Sequence, residues 1–334
     1  LGSGSEPGGA ARAAFADDVR RGLTSSPRRL PCRWLYDREG SLLFEAICEL
    51  PEYYIPSAER AILTAHAAEI AAELPPGAQV VELGSGNAAK TRILLEAFLA
   101  RAAGRVRYAP IDISPSALVA SAHELLADYP RLDITGIAGT YEEGLAHLPG
   151  LGGAPRLVLW LGSNVGNFTR AEAGAFLGEV RKRLGPDDRL LLGVDLRKDP
   201  SVLIAAYDDP AGVTSRFNLN LLARINRELG GRFDLSAFRH RALYEKVAGR
   251  MVMHLVAQRA CEVPIADLGM SFSFAAGEGI HTEDSYKYDR EEIDALARAA
   301  GLTALRLWTD SENRFASVLL AAAPPKASSS APPA

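Results

Sequence analysis

The chain has 334 residues, 48% of them hydrophobic, and 37 basic against 41 acidic side chains give it a formal charge of −4. That length supports one large domain or two modest ones. A slightly acidic chain without a polybasic run lacks the clustered basic face that electrostatic nucleic-acid binding requires. No stretch reaches the ~18 apolar residues of a membrane helix, and no secretory signal is legible. Cys32, Cys48 and Cys261 form neither a disulfide framework nor a CxxC pair, and the six histidines show no HExxH-like spacing. The expectation is a reducing, cytoplasmic setting with no metal site.

Residues 1–11 and 323–334 are expected to be flexible, the latter as a Pro/Ala/Ser tail. From residue 57 an alternating pattern begins. Ser57 reads as the cap of a helix through Arg60, Ala61, Ile62 and Leu63 to about Leu74, closed by Pro75-Pro76-Gly77. Short apolar runs at 79–83, 106–111, 132–138, 157–161 and 190–194 read as strands, with helices at 90–103, 115–127 and 170–184 between them. After Asp195 the rhythm breaks. Residues 196–286 hold a long helical stretch, two Gly-rich turns and a β-like run at 251–257. A helix at 290–300 and two strands, 304–309 and 315–321, around the turn Asp310-Ser311-Glu312-Asn313 complete the chain. Five strands with intervening helices indicate an α/β parallel, doubly wound sheet. With its terminal antiparallel hairpin, it resembles the Rossmann-like sheet of class I methyltransferases. No internal repeat is present.

The most informative stretch is Val80-Val81-Glu82-Leu83-Gly84-Ser85-Gly86-Asn87-Ala88-Ala89-Lys90-Thr91, a strand entering a glycine turn and then a helix. A P-loop requires glycine before Lys90, where this chain has Ala89. Gly84-x-Gly86-x-x-Ala89 satisfies a loose dinucleotide fingerprint. The S-adenosylmethionine reading is favoured by Glu82 just before the glycines and by Asp112 at the end of the next strand, where a carboxylate accepts ribose hydroxyls. A third strand end, Gly139-Thr140-Tyr141-Glu142, is placed for the adenine. The fourth, Trp160-Leu161-Gly162-Ser163-Asn164-Val165-Gly166-Asn167-Phe168, faces the reacting methyl group, because ligands lie at the carboxyl ends of parallel strands.

Further motifs are Trp34-Leu35-Tyr36-Asp37, Leu50-Pro51-Glu52-Tyr53-Tyr54, Gly162-Ser163-Asn164-Val165-Gly166-Asn167, Ala206-Tyr207-Asp208-Asp209 and His281-Thr282-Glu283-Asp284-Ser285-Tyr286-Lys287. Through them, from about 30 to 322, the chain resembles the histidine Nα-methyltransferases of ergothioneine biosynthesis, which form trimethylhistidine (hercynine). The resemblance implies a methyltransferase domain of residues 57–195 and 287–322, and an α+β substrate domain of 12–56 and 196–286 with histidine between the two. It implies cofactor contacts from Tyr36, Gly84, Gly86, Lys90, Asp112, Thr140, Tyr141 and Gly162. Substrate contacts would come from Phe44, Tyr53, Asn167, Tyr207, Met253, Glu283 and Ser285, with Tyr36, Asn167 and Tyr207 nearest the transfer. The implied partners are small molecules, L-histidine and its mono- and dimethyl forms, acted on by a monomer with no nucleic-acid or membrane partner.

Each residue also has a plainer reading. Glu283 and Ser285, two apart, share one face of any strand. Asn167 suits a helix cap, Lys90 a solvated first helical turn, Tyr207 a packed helix position and Met253 a half-buried strand. His254 and His281 are assigned no role. As a pair, Glu283 and Ser285 suit imidazole, since a carboxylate takes one ring N–H while a hydroxyl serves as donor or acceptor. Thr140 stands where the family often has an aspartate, so weaker cofactor affinity is expected.

Overall fold

A computed structural model describes residues 7–323, so residues 1–6 and 324–334 of the expected flexible ends lie outside the described residues. The first described element is α1 (Pro7–Thr24), which includes residues 7–11; α2 (Arg38–Cys48) follows. The chain divides into two compact units. The first combines residues up to Pro56 with Arg197–Lys287; the second starts at Ser57, runs to Leu196 and resumes at Tyr288. Among the described residues no helix is long and apolar enough to cross a membrane, and no group of three or more His, Cys, Asp or Glu is placed to hold a metal.

Nearly all of α3 (Ile55–Ala72) belongs to the second unit, and the helix starts two residues before the expected cap Ser57. Its buried stripe, Ile55, Ala58, Glu59, Ile62, Leu63, Ala67, Ile70 and Ala71, follows helical period. The units that follow are β1 (Gln79–Leu83), α4 (Thr91–Arg101), β2 (Val106–Asp112), α5 (Pro115–Asp128), β3 (Leu132–Ile134), β4 (Ile137–Ala138), α6 (Tyr141–His147), β5 (Arg156–Trp160), α7 (Arg170–Arg181) and β6 (Arg189–Asp195). The single strand expected over 132–138 is split at Thr135-Gly136, and both halves pair with β2. The sequence reading did not foresee α6.

The chain then builds α8 (Pro200–Tyr207), α9 (Val213–Leu229), β7 (Phe238–Glu245), β8 (Arg250–Ala257), β9 (Cys261–Ile265), β10 (Met270–Phe274) and β11 (Gly279–Tyr286) in the first unit. It returns with α10 (Arg290–Ala299), β12 (Leu302–Thr309) and β13 (Phe315–Ala322). The main sheet has the order β12-β13-β6-β5-β1-β2-β3. Pairs among β1, β2, β3, β5 and β6 are parallel, whereas β13 runs antiparallel to β6 and β12. This is the class I methyltransferase arrangement. β5 and β6 are nearly continuous apolar runs, and every residue of β1 is buried, because both faces of these strands are covered.

In the first unit, β11-β8-β7 form an antiparallel sheet and β9-β10 a hairpin. The long helical stretch expected within 196–286 is the 17-residue α9; between it and α8, Pro210 disfavours helical backbone at Asp209. Asp209 turns the break into a cap. Its carboxylate accepts the N–H groups of Val213 (2.9 Å) and Thr214 (2.8 Å) at the start of α9. Burial opposes its charge, yet these donors hold its carboxyl below the ordinary range. Replacing Asp209 with Ala is expected to cost about 1–2 kcal/mol of stability at neutral pH. The contribution is complete above the unfolded pKa of ~3.9 and is lost as pH falls through the lower folded value. Urea unfolding of both proteins at pH 7 and pH 3.5 measures the difference, which should shrink at the lower pH.

Candidate active site

At the carboxyl end of β1 the backbone turns through Gly84 (φ +76°), where a Cβ would lie 2.9 Å from the Tyr141 hydroxyl and 3.3 Å from Asn164 Nδ2. Only glycine fits that turn and that approach. Asp112, ending β2, holds the loop from its other side. Oδ2 accepts the N–H of Gly86 at 2.9 Å, and Oδ1 accepts that of Ser114 at 3.0 Å. Each oxygen retains a second lone pair, so the carboxylate can fix the loop and accept ribose hydroxyls together. The residues present therefore fit the nucleoside end of S-adenosylmethionine.

Glu82 points elsewhere. It is buried beneath the loop, where it accepts the hydroxyls of Thr91 (2.7 and 2.8 Å) and Tyr108. Burial pushes its carboxyl up to about 7 against those hydrogen bonds. Its function is to tie the first residue of α4 to β1 and β2.

Lys90 pairs with Glu59 of α3, a carboxylate with 0% exposure that also accepts the N–H of Gly162 at 2.9 and 3.0 Å. Gly162 has φ +72°, and a Cβ there would lie 3.6 Å from Lys90 Nζ. Lys90 and Gly162 are thus brought together by Glu59, which the sequence reading left unassigned. Its signal was present: Glu59 is a carboxylate in the apolar stripe of α3.

Thr140 caps α6. Its hydroxyl oxygen accepts the N–H of Glu143 (3.3 Å), whose carboxylate accepts the N–H of Thr140 (2.7 Å). Tyr141 packs edge-on to Trp160 at 6.0 Å and against Phe176 at 5.7 Å. Asn167 ends the 3₁₀ turn Asn164–Asn167 after β5, partly exposed.

The remaining expected residues lie in the first unit. Tyr36 is 5.4 Å from the ring of Phe44, which is 6.2 Å from that of Tyr53, itself 6.0 Å from that of Tyr207. Phe217 of α9, also unassigned from sequence, packs 5.4 Å from Tyr36 and 6.0 Å from Phe44. Asp37 anchors this cluster: it caps α2 through the N–H of Gly40 (2.7 Å) and binds Asn220 (2.7 Å) and Arg227 of α9. Burial, with Tyr207 next in effect, raises the Tyr53 phenol well above its ordinary value, so it stays protonated.

On β11, Glu283 lies opposite Met253 of β8, and Ser285 opposite Met251. Cross-strand partners share a face, so Met253 flanks Glu283. The bulge between His281 and Glu283 leaves this face intact, because it precedes both residues of the pair. Burial raises the Glu283 carboxyl to about 7, with Lys287 opposing the shift. Tyr207 donates to Ser285 at 2.8 Å, and Lys287 donates to both hydroxyls at 2.8 Å. Lys287, expected to open the returning segment of the methyltransferase domain, is the last residue of the first unit. His240 of β7 supports Tyr207 from behind. A carbonyl accepts only, so Nε2 donates to Tyr207 O (2.8 Å) and Nδ1 accepts from Asn218 (2.9 Å). Burial lowers this imidazole's pKa and keeps it neutral.

Of the eight residues expected to meet the cofactor, seven lie in the second unit and Tyr36 in the first. Of the seven expected to meet substrate, six lie in the first and Asn167 in the second. Replacing Glu59 with Gln would turn an amide N–H₂ toward Lys90 while the Gly162 N–H competes for the one remaining oxygen. Hydrogen bonds to charged groups contribute roughly 1.5–3 kcal/mol. S-adenosylhomocysteine affinity, measured by calorimetry, should fall about tenfold or more with the fold retained.

Residues 15–322 match a family described as histidine-specific methyltransferase, SAM-dependent. The chain is 44% identical over 303 residues to Histidine N-alpha-methyltransferase of Mycolicibacterium smegmatis, covering 90% of this chain and 93% of that protein. It is 35% identical over 299 residues to Ergothioneine biosynthesis protein 1 of Neurospora crassa, covering 85% of this chain and 32% of that protein. It is 28% identical over 317 residues to 4-dimethylallyltryptophan N-methyltransferase easF of Claviceps fusiformis, covering 89% of each. With the sheet order, these matches establish that the chain belongs to the histidine-specific, S-adenosylmethionine-dependent methyltransferase family.

Proposed function

We propose that the chain transfers methyl groups from S-adenosylmethionine to the α-amino group of L-histidine, three times in succession, giving trimethylhistidine (hercynine) in ergothioneine biosynthesis. The observation that carries this reading is the family match over residues 15–322, which spans both compact units. Support for the pathway comes from the relative named Ergothioneine biosynthesis protein 1.

S-adenosylmethionine supplies an electrophilic methyl group, which leaves the protein to provide alignment and a neutral amine. An α-amino group titrates near ~8, so a useful neutral fraction exists at physiological pH without a dedicated base. In this reading Asp112 and the glycine loop hold the nucleoside, Tyr141 meets the adenine, and Asn167 and Tyr207 hold the amino acid's carboxylate and amine. Glu283 and Ser285 bind the imidazole, with Phe44 and Met253 packed around it. As methyl groups accumulate, the rings of Tyr36 and Tyr53 face a growing cation, which aromatic faces attract. The enzyme is proposed to act as a cytoplasmic monomer. A second reading, a tryptophan derivative on the same scaffold, is favoured by the name of the Claviceps relative. The polar Glu283, Ser285 and Lys287 weigh against it.

Incubation with histidine and S-adenosylmethionine, followed by mass spectrometry, should yield histidine carrying three added methyl groups. Protein that binds S-adenosylhomocysteine yet methylates no histidine would discard the substrate. In Tyr53→Phe, mono- and dimethylhistidine should accumulate while the KM of histidine changes by less than about threefold. Product ratios equal to the wild type's would remove Tyr53 from control of the later rounds.

A further inference from the structure

One residue past the end of β11, beside its polar face, lies a fully buried lysine to which the proposed reaction assigns no part. Lys287 has 0% exposure, and its Nζ lies 2.8 Å from both the Tyr207 hydroxyl and Ser285 Oγ. An ammonium has donors and no acceptor, so both oxygens receive a hydrogen from it. The phenol, the more acidic of the two hydroxyls, donates in turn to Ser285 Oγ at 2.8 Å. Ser285 Oγ therefore accepts two hydrogen bonds, one from Lys287 and one from Tyr207. A hydroxyl has two lone pairs and one hydrogen. With both lone pairs engaged, Ser285 has only its hydrogen to offer.

We propose that Lys287 is a positioning residue that fixes Ser285 as a hydrogen-bond donor, so that the ring subsite accepts neutral imidazole in a single tautomer. Its N–H faces Glu283 and its bare nitrogen faces Ser285. The inference rests on the assignment of Glu283 and Ser285 to the imidazole, and it settles which way the serine bond runs. Imidazolium carries an N–H on both nitrogens, and one of them would meet the hydrogen of Ser285. An indole or phenyl ring lacks the accepting nitrogen and would leave that hydrogen unpaired. A buried donor without a partner is disfavoured enough to weaken binding about tenfold or more.

The charged and titratable surroundings of the wall agree with this polarity. Glu283 faces Lys287 and Asp284 along its own segment. Cys32 and Tyr53 approach it from the N-terminal segment, and both are protonated because burial raises them, Cys32 to about 12. Tyr207 of α8 is engaged with Ser285 and Lys287. The acceptor on this wall is Glu283, whose carboxyl can take the single N–H of the neutral ring on an oxygen that accepts in either protonation state. Lys287 also opposes the upward shift of that carboxyl and so favours its ionised form.

The decisive measurement is the nitrogen NMR spectrum of ring-¹⁵N-histidine bound to the wild-type protein with S-adenosylhomocysteine, at pH 7.5 and at pH 5.5. Free imidazole titrates near ~6.5, so free histidine at pH 5.5 is mostly imidazolium. The bound ring should show one protonated and one bare nitrogen at both values. Two protonated nitrogens in the bound ring at pH 7.5 would overturn the inference. Replacing Lys287 with Met keeps the chain length and removes the donors. The bound ring should then take its second proton at pH 5.5, and histidine affinity at pH 7.5 should fall about tenfold. An unchanged spectrum and affinity in a folded Lys287→Met protein would also overturn the role of Lys287; should that variant fail to fold, the wild-type spectrum still decides. Absence of saturable histidine binding would refute the substrate reading itself. Saturable binding of imidazolium would refute only the present inference.

Discussion

A carboxylate removed from water survives only where donors surround it; the buried Glu82 and Glu59 meet this constraint in the second unit, and the half-buried Asp112 gathers donors in the same way. Parallel strands end on one side of their sheet, and each chain end must turn there with its N–H groups satisfied. Glu82 gathers the hydroxyls of Thr91 and Tyr108, Asp112 takes the N–H groups of Gly86 and Ser114, and Glu59 takes Gly162 together with Lys90. Each bond ties one strand end to another element. The loops are therefore set before any nucleoside arrives, and binding need not supply the cost of ordering them.

In the first unit the corresponding buried charge is positive. Lys287 gives Tyr207 and Ser285 their orientation, while Tyr36, Phe44, Tyr53 and Phe217 form a ring cluster beside them. A substrate methylated three times loses amine N–H donors at each round, so recognition through that amine changes throughout. Imidazole does not change. On the proposed assignment, a polar wall aimed at the ring would give the same anchorage in every round, and aromatic faces suit the cation that grows at the other end. That division of labour would account for the separate polar and aromatic groups in the unit.

Much of the second unit was legible because its signals are local. Parallel strands buried on both faces read as apolar runs, and β1, β5 and β6 were found to within a residue or two. The glycine turn and Asp112 follow from strand ends alone. The misses have several causes. Asp209, two residues beyond α8, caps the start of α9 through local bonds four and five residues apart that the apolar pattern does not reveal. Lys287 shares the strand parity of Glu283 and Ser285, so its face was readable. Its bond to Tyr207, 80 positions away, was not. Glu59 was marked by its place in the apolar stripe of α3, but its partners, Lys90 at 31 positions and Gly162 at 103, were not readable.

Thr140 shows how a departure from a family pattern is to be weighed. The sequence comparison set its missing carboxylate against cofactor affinity, as though a ligand contact were all the position supplies. In the fold its first task is to cap α6, with Glu143 completing the box. Asp and Thr both serve well as caps, so exchanging them leaves the helix start, and hence the placement of Tyr141 against Gly84, intact. What the exchange removes is one negative charge at a partly solvated strand end, where charges are screened and single contacts contribute little. Tyr141, whose hydroxyl approaches Gly84, is the first residue of the helix that Thr140 caps, so the cap and the aromatic contact are set by one turn of backbone.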